Sequence, residues 1–339
     1  MSGRYHARFF DSQSTESQIK LRIYQSYLVP WASKVGSRGG TVWVVDGFAG
    51  RGRYKSGEPG SPELAMRLAQ ELTDAGKAGY RLQCIFGERK ATNASALYQL
   101  LGRYPAASPL TIEGDFWARI ADVTSFVGSS PALLFVDPFG LLGIDFAALT
   151  ALVSKLPRVD LIVNFRSPSA HRLAPTLSSR VSASVGSDDW TPETISEVFR
   201  ANLQRVGKFL TPATLTVRER FGGSIRSELI LAARHADAYE LWNDRAVIEA
   251  ENLLAADGEP APAHGRDSTI DEVQARLLDW ASVKKRWRRP EAVSWYVVAY
   301  CGDVHTGTIK RAHEALTAKG RFRRLGRSNK IDLDWFDCP

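Results

Sequence analysis

The stretch Thr41–Tyr54, T-V-W-V-V-D-G-F-A-G-R-G-R-Y, narrows what this chain can fold into more than any other. Val42 to Val45 form an apolar, β-favouring run of the kind that sits in the middle of a parallel sheet. The run ends in Asp46 and then meets glycines at Gly47, Gly50 and Gly52, which permit a tight turn and close approach of a ligand to the backbone. Ser61-Pro62-Glu63 then opens a helix, with Ser61 as cap and Pro62 at the first helical position. Strand, glycine turn and helix make the first crossover of a nucleotide-binding α/β fold, with Asp46 at the carboxyl edge where such folds bind ligands. Gly76-Lys77 and Gly207-Lys208 are not followed by Ser or Thr, so a P-loop is excluded.

Further strands are expected at Tyr80–Glu88, Pro109–Glu113, Pro131–Gly140, Val159–Phe165, Thr214–Arg218 and Ser227–Ala232. The last two lie close together, as in a sheet that ends in an antiparallel hairpin. Helices are expected at Ala91–Gly102, Pro192–Val206 and Asp237–Leu254. A leading helix over Thr15–Val35 carries Ile19, Ile23, Tyr27 and Trp31 at helical spacing and either packs on the sheet edge or covers the ligand. The Ser-rich stretch Ser167–Ser187 reads as a loop or lid.

Several side chains fall at the carboxyl ends of these strands. Glu88 suits two adjacent ribose hydroxyls, because one carboxylate matches two donors. Asp115 can accept from an adenine amine and Phe116 can stack on the ring; equally, Asp115 can cap a helix while Phe116 enters the core. Asp137-Pro138-Phe139-Gly140 is the most specific signal. Pro138 makes the turn rigid and leaves carbonyls for a ligand amine, Asp137 can accept from that amine, and Phe139 can stack on a flat ring. Asn164 and Arg166 emerge at the same edge after the fifth strand.

The 339 residues carry a net charge of +7, distributed unevenly. Residues 1–55 hold nine Lys/Arg against three acids, and residues 265–339 hold fifteen against ten. Basic ends around an acidic middle favour a polyanionic partner. No apolar run reaches membrane-spanning length and the amino terminus lacks a signal-peptide core, so a cytoplasmic location is expected. Cys84, Cys301 and Cys338 are scattered and read as free thiols, and the six histidines show no metal-ligand spacing.

Ala255–Ser268 is a Pro/Gly/Ala linker by composition. The expected division is a nucleotide-binding domain over residues 1–255, a linker over 256–268 and a small domain over 269–339. In that last part, helices at Thr269–Ala281, Glu291–Tyr300 and Val304–Lys319 precede a hairpin over Arg321–Phe336, the layout of a winged helix-turn-helix. Its recognition helix would begin at Thr306 and present Thr308, Lys310 and Arg311. Its wing would carry Arg323, Arg324, Arg327 and Lys330 to phosphates, with more charge around Trp287. Winged helices also dock proteins.

Asp46-Gly47-Phe48-Ala49-Gly50, Gly60-Ser61-Pro62-Glu63, Phe86-Gly87-Glu88 and Asp137-Pro138-Phe139-Gly140 together resemble, in order, the three-Cys-motif partner protein family, TcmP. The leading helix with Lys20-Leu21, Tyr24, Tyr27-Leu28 and Trp31, and the segment Glu228–Asn243, also resemble its pattern. The resemblance spans residues 15–255, and the tail resembles the winged-helix extension of some members. It implies a Rossmann-like class I methyltransferase sheet with flanking helices and S-adenosylmethionine as cofactor. Asp46, Gly47, Phe48, Ala49, Gly50 and Gly52 would then form the methionine loop, Glu88 the ribose acid and Asp115 the adenine contact. Asp137–Gly140 resembles the D-P-F-G of tRNA guanine-N2 dimethyltransferases, which implies an exocyclic base amine of DNA or RNA as acceptor. The TcmP resemblance also implies a radical-SAM-like three-Cys-motif partner, and the alternative reading makes the chain a nucleic-acid-binding accessory of that partner with no methyl transfer of its own. A small-molecule methyltransferase with a winged-helix dimerisation domain is a third reading. Arg51 and Arg53 interrupt the glycine spacing.

Overall fold

The computed structural model describes residues 13–76, 79–218, 224–256, 266–326, 331 and 334–339. It divides into two compact units, Met1–Arg234 and His235–Pro339.

The first unit is built on a seven-stranded sheet in the order β3-β2-β1-β4-β5-β7-β6. The strands are β1 (Gly40–Asp46), β2 (Tyr80–Glu88), β3 (Leu110–Glu113), β4 (Ala132–Val136), β5 (Val159–Phe165), β6 (Ala213–Arg218) and β7 (Ile225–Ala232). β1 to β5 pair in parallel, whereas β7 runs antiparallel to both β5 and β6. The expected terminal hairpin is therefore present, inserted so that β7 lies inside β6. β1 has β2 on one side and β4 on the other, so the chain reverses its direction of winding there. A crevice opens at such a point, outside the carboxyl ends of the strands.

Side-chain alternation along the buried strands divides the sheet's residues between two faces. Val45, Ile85, Leu134, Val136 and Val163 share one core with α4 (Ile120–Val127), α5 (Phe146–Lys155) and α7 (Ile195–Gly207). On the other face lie α1 (Thr15–Gly36) and α2 (Ser61–Asp74). α3 (Ala91–Leu101) packs at the β2–β3 end. α1 keeps its helical course through Pro30, setting Tyr24 against Phe135 with ring centroids 4.7 Å apart. Further along, Trp31 Nε1 donates to Asp160 at 2.8 Å. The leading helix thus covers a sheet face and reaches the ligand edge at Lys20, rather than packing only on the sheet's edge.

Ser167–Ser187 is a helix and not a loop. α6 (Ser169–Val185) is amphipathic, burying Ala170, Val181, Ser184 and Val185, and it kinks at Leu177, two residues beyond Pro175. Small buried residues and an internal proline gave little helical signal. Ser61 does not cap α2. Gly60 occupies that position, and the Ser61 hydroxyl is taken by Asp46.

The second unit holds α8 (Ala236–Ala256), α9 (Arg266–Ser282), β8 (Trp287–Arg288), α10 (Arg289–Ala299), α11 (Thr306–Ala318), β9 (Arg323–Arg324) and β10 (Trp335–Asp337). The three strands form an antiparallel sheet in the order β8-β10-β9, around a core that includes Trp287, Phe322 and Phe336. Two boundaries differ from expectation. α9 begins at Arg266, inside the expected linker, of which residues 257–265 lie outside the described residues. α8 belongs to the second unit, because it supplies that unit's turn with polar partners. Asn243 Nδ2 donates to Val304 O at 2.8 Å and Asn243 Oδ1 accepts from Gly302 N at 2.9 Å. Among the described residues, no helix is long and apolar enough to cross a membrane.

Candidate functional site

The carboxyl edge of the first unit is held in shape from below. Asp46 is fully buried; its Oδ1 accepts from Phe48 N at 2.9 Å and its Oδ2 from Ser61 Oγ at 2.7 Å. One carboxylate therefore fixes both ends of the glycine loop. Burial pushes the Asp46 carboxyl up to about 7; nearby Asp137 adds to the rise, while Ser61, Phe48 and Lys20 oppose it. Asp46 itself lines neither lobe of the cleft described below. It acts by positioning Phe48 and Ser61.

The loop is closed tightly. Ala49 N donates to Gly87 O, and Gly60 N to Gly52 O, both at 2.9 Å. Gly52 has φ +75°, and a Cβ there would stand 2.6 Å from Leu100. A Cβ on Gly87 would stand 2.8 Å from both Gly47 O and a ring carbon of Phe116. Gly87→Ala should therefore cost about 1–3 kcal/mol, read as a lower denaturant midpoint at unchanged slope. Of the two arginines that interrupt the glycine spacing, Arg53 has a structural reason. It forms a bidentate pair with buried Glu63, whose carboxylate also receives Arg67 Nη2 at 2.9 Å and Tyr104 OH at 2.8 Å. Arg53 thus ties the loop to α2.

Two adjoining lobes of a cleft share Phe48, Pro138, Phe139 and Arg166 in their walls. The smaller, about 40 Å³, runs between α1 and the loop and is lined by Lys20, Tyr54, Gly50, Gly52 and Asp137. The larger, about 640 Å³ and open to solvent, is lined by Gly47, Glu88, Asp115, Phe116 and the α6 side chains. Glu88 is almost buried, and one of its oxygens accepts from Lys90 N at 2.6 Å. Asp115 caps a short 3-10 turn by accepting from Trp117 N at 3.1 Å, while remaining exposed on the cleft wall. Phe116 is buried beneath Gly47 and Gly87, so its role is in the floor, not in a free stacking face. Both alternatives for Asp115 thus coexist in one residue, and the core alternative describes Phe116.

At the end of β4, Asp137 is flanked by two protein donors. Lys20 Nζ pairs with Oδ2, and Asn164 Nδ2 donates to Oδ1 at 2.7 Å. Lys20 is buried, a charge drawn inward from α1 that its place in a mixed helix did not signal. Asn164 Oδ1 and Arg166 Nε are buried with no hydrogen-bond partner among the described residues. Arg166 pairs with Glu16 of α1 at 2.9 Å. Phe139 is 41% exposed with Lys90 Nζ 5.9 Å from its ring centre, and it lines both lobes.

In the second unit the expected phosphate contacts are largely engaged. Thr308 is buried and accepts from Arg311 at 3.2 Å, and Lys310 pairs with Glu240 of α8 at 2.7 Å. Arg323 pairs with Asp337 at 2.7 Å, and Arg324 with Asp334. Thr306 does not cap α11; His305 holds that position, and Thr306 N donates to Asp244 at 2.7 Å. Arg327 and Lys330 lie outside the described residues.

No family model matches the chain, and no curated protein matches it in sequence. Solved structures do match. An O-methyltransferase from Bacillus cereus in complex with SAH is 8% identical, with 68% of this chain and 96% of that chain covered at a TM-score of 0.37. Precorrin-6y C5,15-methyltransferase from Geobacter metallireducens is 12% identical, covering 61% and 88% at a TM-score of 0.33. The small RNA methyltransferase HEN1 is 14% identical, covering 63% of this chain but 26% of its own, at a TM-score of 0.37.

Proposed function

We propose that the chain is an S-adenosylmethionine-dependent methyltransferase acting on an exocyclic amine of a nucleic-acid base. The observation that carries this reading is the shared wall of the two lobes: Glu88 lines the larger and Asp137 the smaller, while Phe48, Pro138 and Phe139 line both. The residues fit the cofactor. Glu88 offers a carboxylate of about four acceptor sites to two ribose hydroxyls, and Gly47 and Gly87, which border the same lobe, keep their backbone close over Phe116 because neither carries a Cβ. Gly50 and Gly52, with their positive φ, let the loop bend around the amino-acid end. Bound there, S-adenosylmethionine supplies an electrophilic methyl group.

The protein's contribution is orientation. Phe139 stacks on the base, and Asp137 accepts from the amine N–H and holds its lone pair in line, so no strong base is needed before attack. Each Asp137 oxygen has a second acceptor site beside its Lys20 or Asn164 partner. The Lys20 charge keeps this carboxylate from standing as an isolated anion next to Asp46.

The second unit is proposed as a winged helix-turn-helix. Supporting this is its order of helix, short strand, two helices and a hairpin whose strand β10 pairs with β8. One observation favours a second reading, an accessory partner of a radical-SAM-like three-Cys-motif protein with no methyl transfer of its own: Asp137 is already held by two protein donors.

Calorimetric titration of S-adenosylmethionine separates the two. The methyltransferase reading expects saturable binding, weakened about 10- to 100-fold by Glu88→Ala through loss of hydrogen bonds to a charged group. Absence of heat at millimolar cofactor would favour the accessory role.

A further inference from the structure

Resting on the nucleic-acid reading above, we propose that the phosphates of a single-stranded substrate are bound by the cleft of the first unit itself, at Arg172 and Arg180 of α6 and Arg89 after β2. The sequence directs attention to the basic C-terminal part, but there Lys310, Arg323 and Arg324 are bound to carboxylates of their own unit. A cation in an internal pair must give up that partner before it can neutralise a phosphate. Arg89, Arg172 and Arg180 are exposed, line the larger lobe, and have no ion pair among the described residues.

Their placement follows from α6 being a helix. Ser169, Arg172, Leu173 and Arg180 fall on the side that lines the cleft, while Ala170, Val181, Ser184 and Val185 turn into the core. Three acids line the same lobe, and each is committed to a backbone N–H: Glu88 to Lys90, Asp115 to Trp117 and Asp145 to Ala148. Against these three carboxylates the same lining holds five cations, Arg89, Lys90, Arg166, Arg172 and Arg180, so the lobe is net positive.

A single strand fits better than a duplex. Phe139 stands where the two lobes meet, and a base reaches it only when unstacked; a single strand meets that condition without breaking pairs. Aromatic stacking next to a basic groove is the general arrangement for binding single strands.

Fluorescence anisotropy tests this with the full chain and labelled oligonucleotides of about 20 nucleotides. Mixed-sequence RNA and DNA would be used, each single-stranded and as a duplex, at about 50 and about 200 mM salt. Single strands should bind more tightly than duplexes. Arg172→Ala/Arg180→Ala should weaken single-strand binding about tenfold and flatten the log–log salt slope by about 1.4, the loss of two phosphate contacts. Lys310→Ala/Arg323→Ala should stay within about twofold of wild type. Both arginines are exposed, so the cleft variant should keep the wild-type thermal midpoint and calorimetric affinity for S-adenosylmethionine. Equal binding by wild type and the cleft variant, or tighter binding of duplex, overturns the proposal while leaving nucleic acid as substrate. Lack of binding by wild type to every oligonucleotide at low salt removes the nucleic-acid reading itself, and this surface with it.

Discussion

Asp46→Asn should make the protein more stable than wild type at pH 8, by on the order of 4 kcal/mol, and equally stable at pH 4. The Asp46 carboxyl sits at about 7 in the folded chain because burial disfavours its charged form, against an ordinary value of 3.8. Between those values the native state holds a proton that the unfolded chain has released. Stability from this group therefore falls as pH rises from about 4 to about 7, and above that range the whole cost is present. Asparagine has no charge to bury, and it can still accept from Phe48 N while donating to Ser61 Oγ. Denaturant melts of both proteins across pH 4 to pH 8 read the difference directly, and a variant less stable than wild type at pH 8 would falsify this account of Asp46. The same charge lies beneath a cleft read as binding a sulfonium cation. Wild-type affinity for S-adenosylmethionine should thus rise as pH passes about 7, and that rise should vanish in the variant. A buried carboxylate that costs stability and serves a ligand is the kind of strain found at functional sites.

Strands buried on both faces were the most legible part of this chain. Tyr80–Glu88 and Val159–Phe165 have the same limits in sequence and structure, because a short apolar run bounded by polar turns has few other solutions. Gly47, Gly50, Glu88 and Asp137 follow from those strands, since a strand's end fixes where its next residue emerges. What stayed hidden depends on pairing over long sequence distances. Lys20 looks like an ordinary helix lysine until Asp137, over a hundred residues away, is folded beside it. Lys310 looks like a phosphate ligand until Glu240 meets it. The change of composition after α8 sets it with the first domain, yet its polar partners Val304 and Gly302 lie on the far side of that change. In α6 the buried residues are alanine, valine and serine, too small and mixed to outweigh its prolines and serines in the pattern.

Lys20→Met is expected to cost about 3 kcal/mol at pH 7 and to abolish whatever activity depends on Asp137. Methionine fills the space that the lysine stem occupies, so the loss reports charge and not a cavity. Removing the ammonium leaves the Asp137 carboxylate with Asn164 as its remaining donor, close enough to Asp46 for the two acids to repel. The effect should have a pH signature. Lys20 holds the Asp46 carboxyl down, so its removal raises Asp46 further and deepens the loss of stability above pH 7 relative to pH 5. A cavity or a misfolded helix would cost the same at both. Asp137→Asn in the Lys20→Met background removes the unpaired charge and should recover most of the stability, giving a coupling energy in the double-mutant cycle of roughly 1–3 kcal/mol. If the two substitutions are additive, the ion pair contributes nothing and Lys20 is only a packing residue. If they couple and the double variant still binds S-adenosylmethionine without transferring methyl, cofactor binding separates from acceptor positioning. The pair from α1 and β4 would then belong to the acceptor side of the cleft.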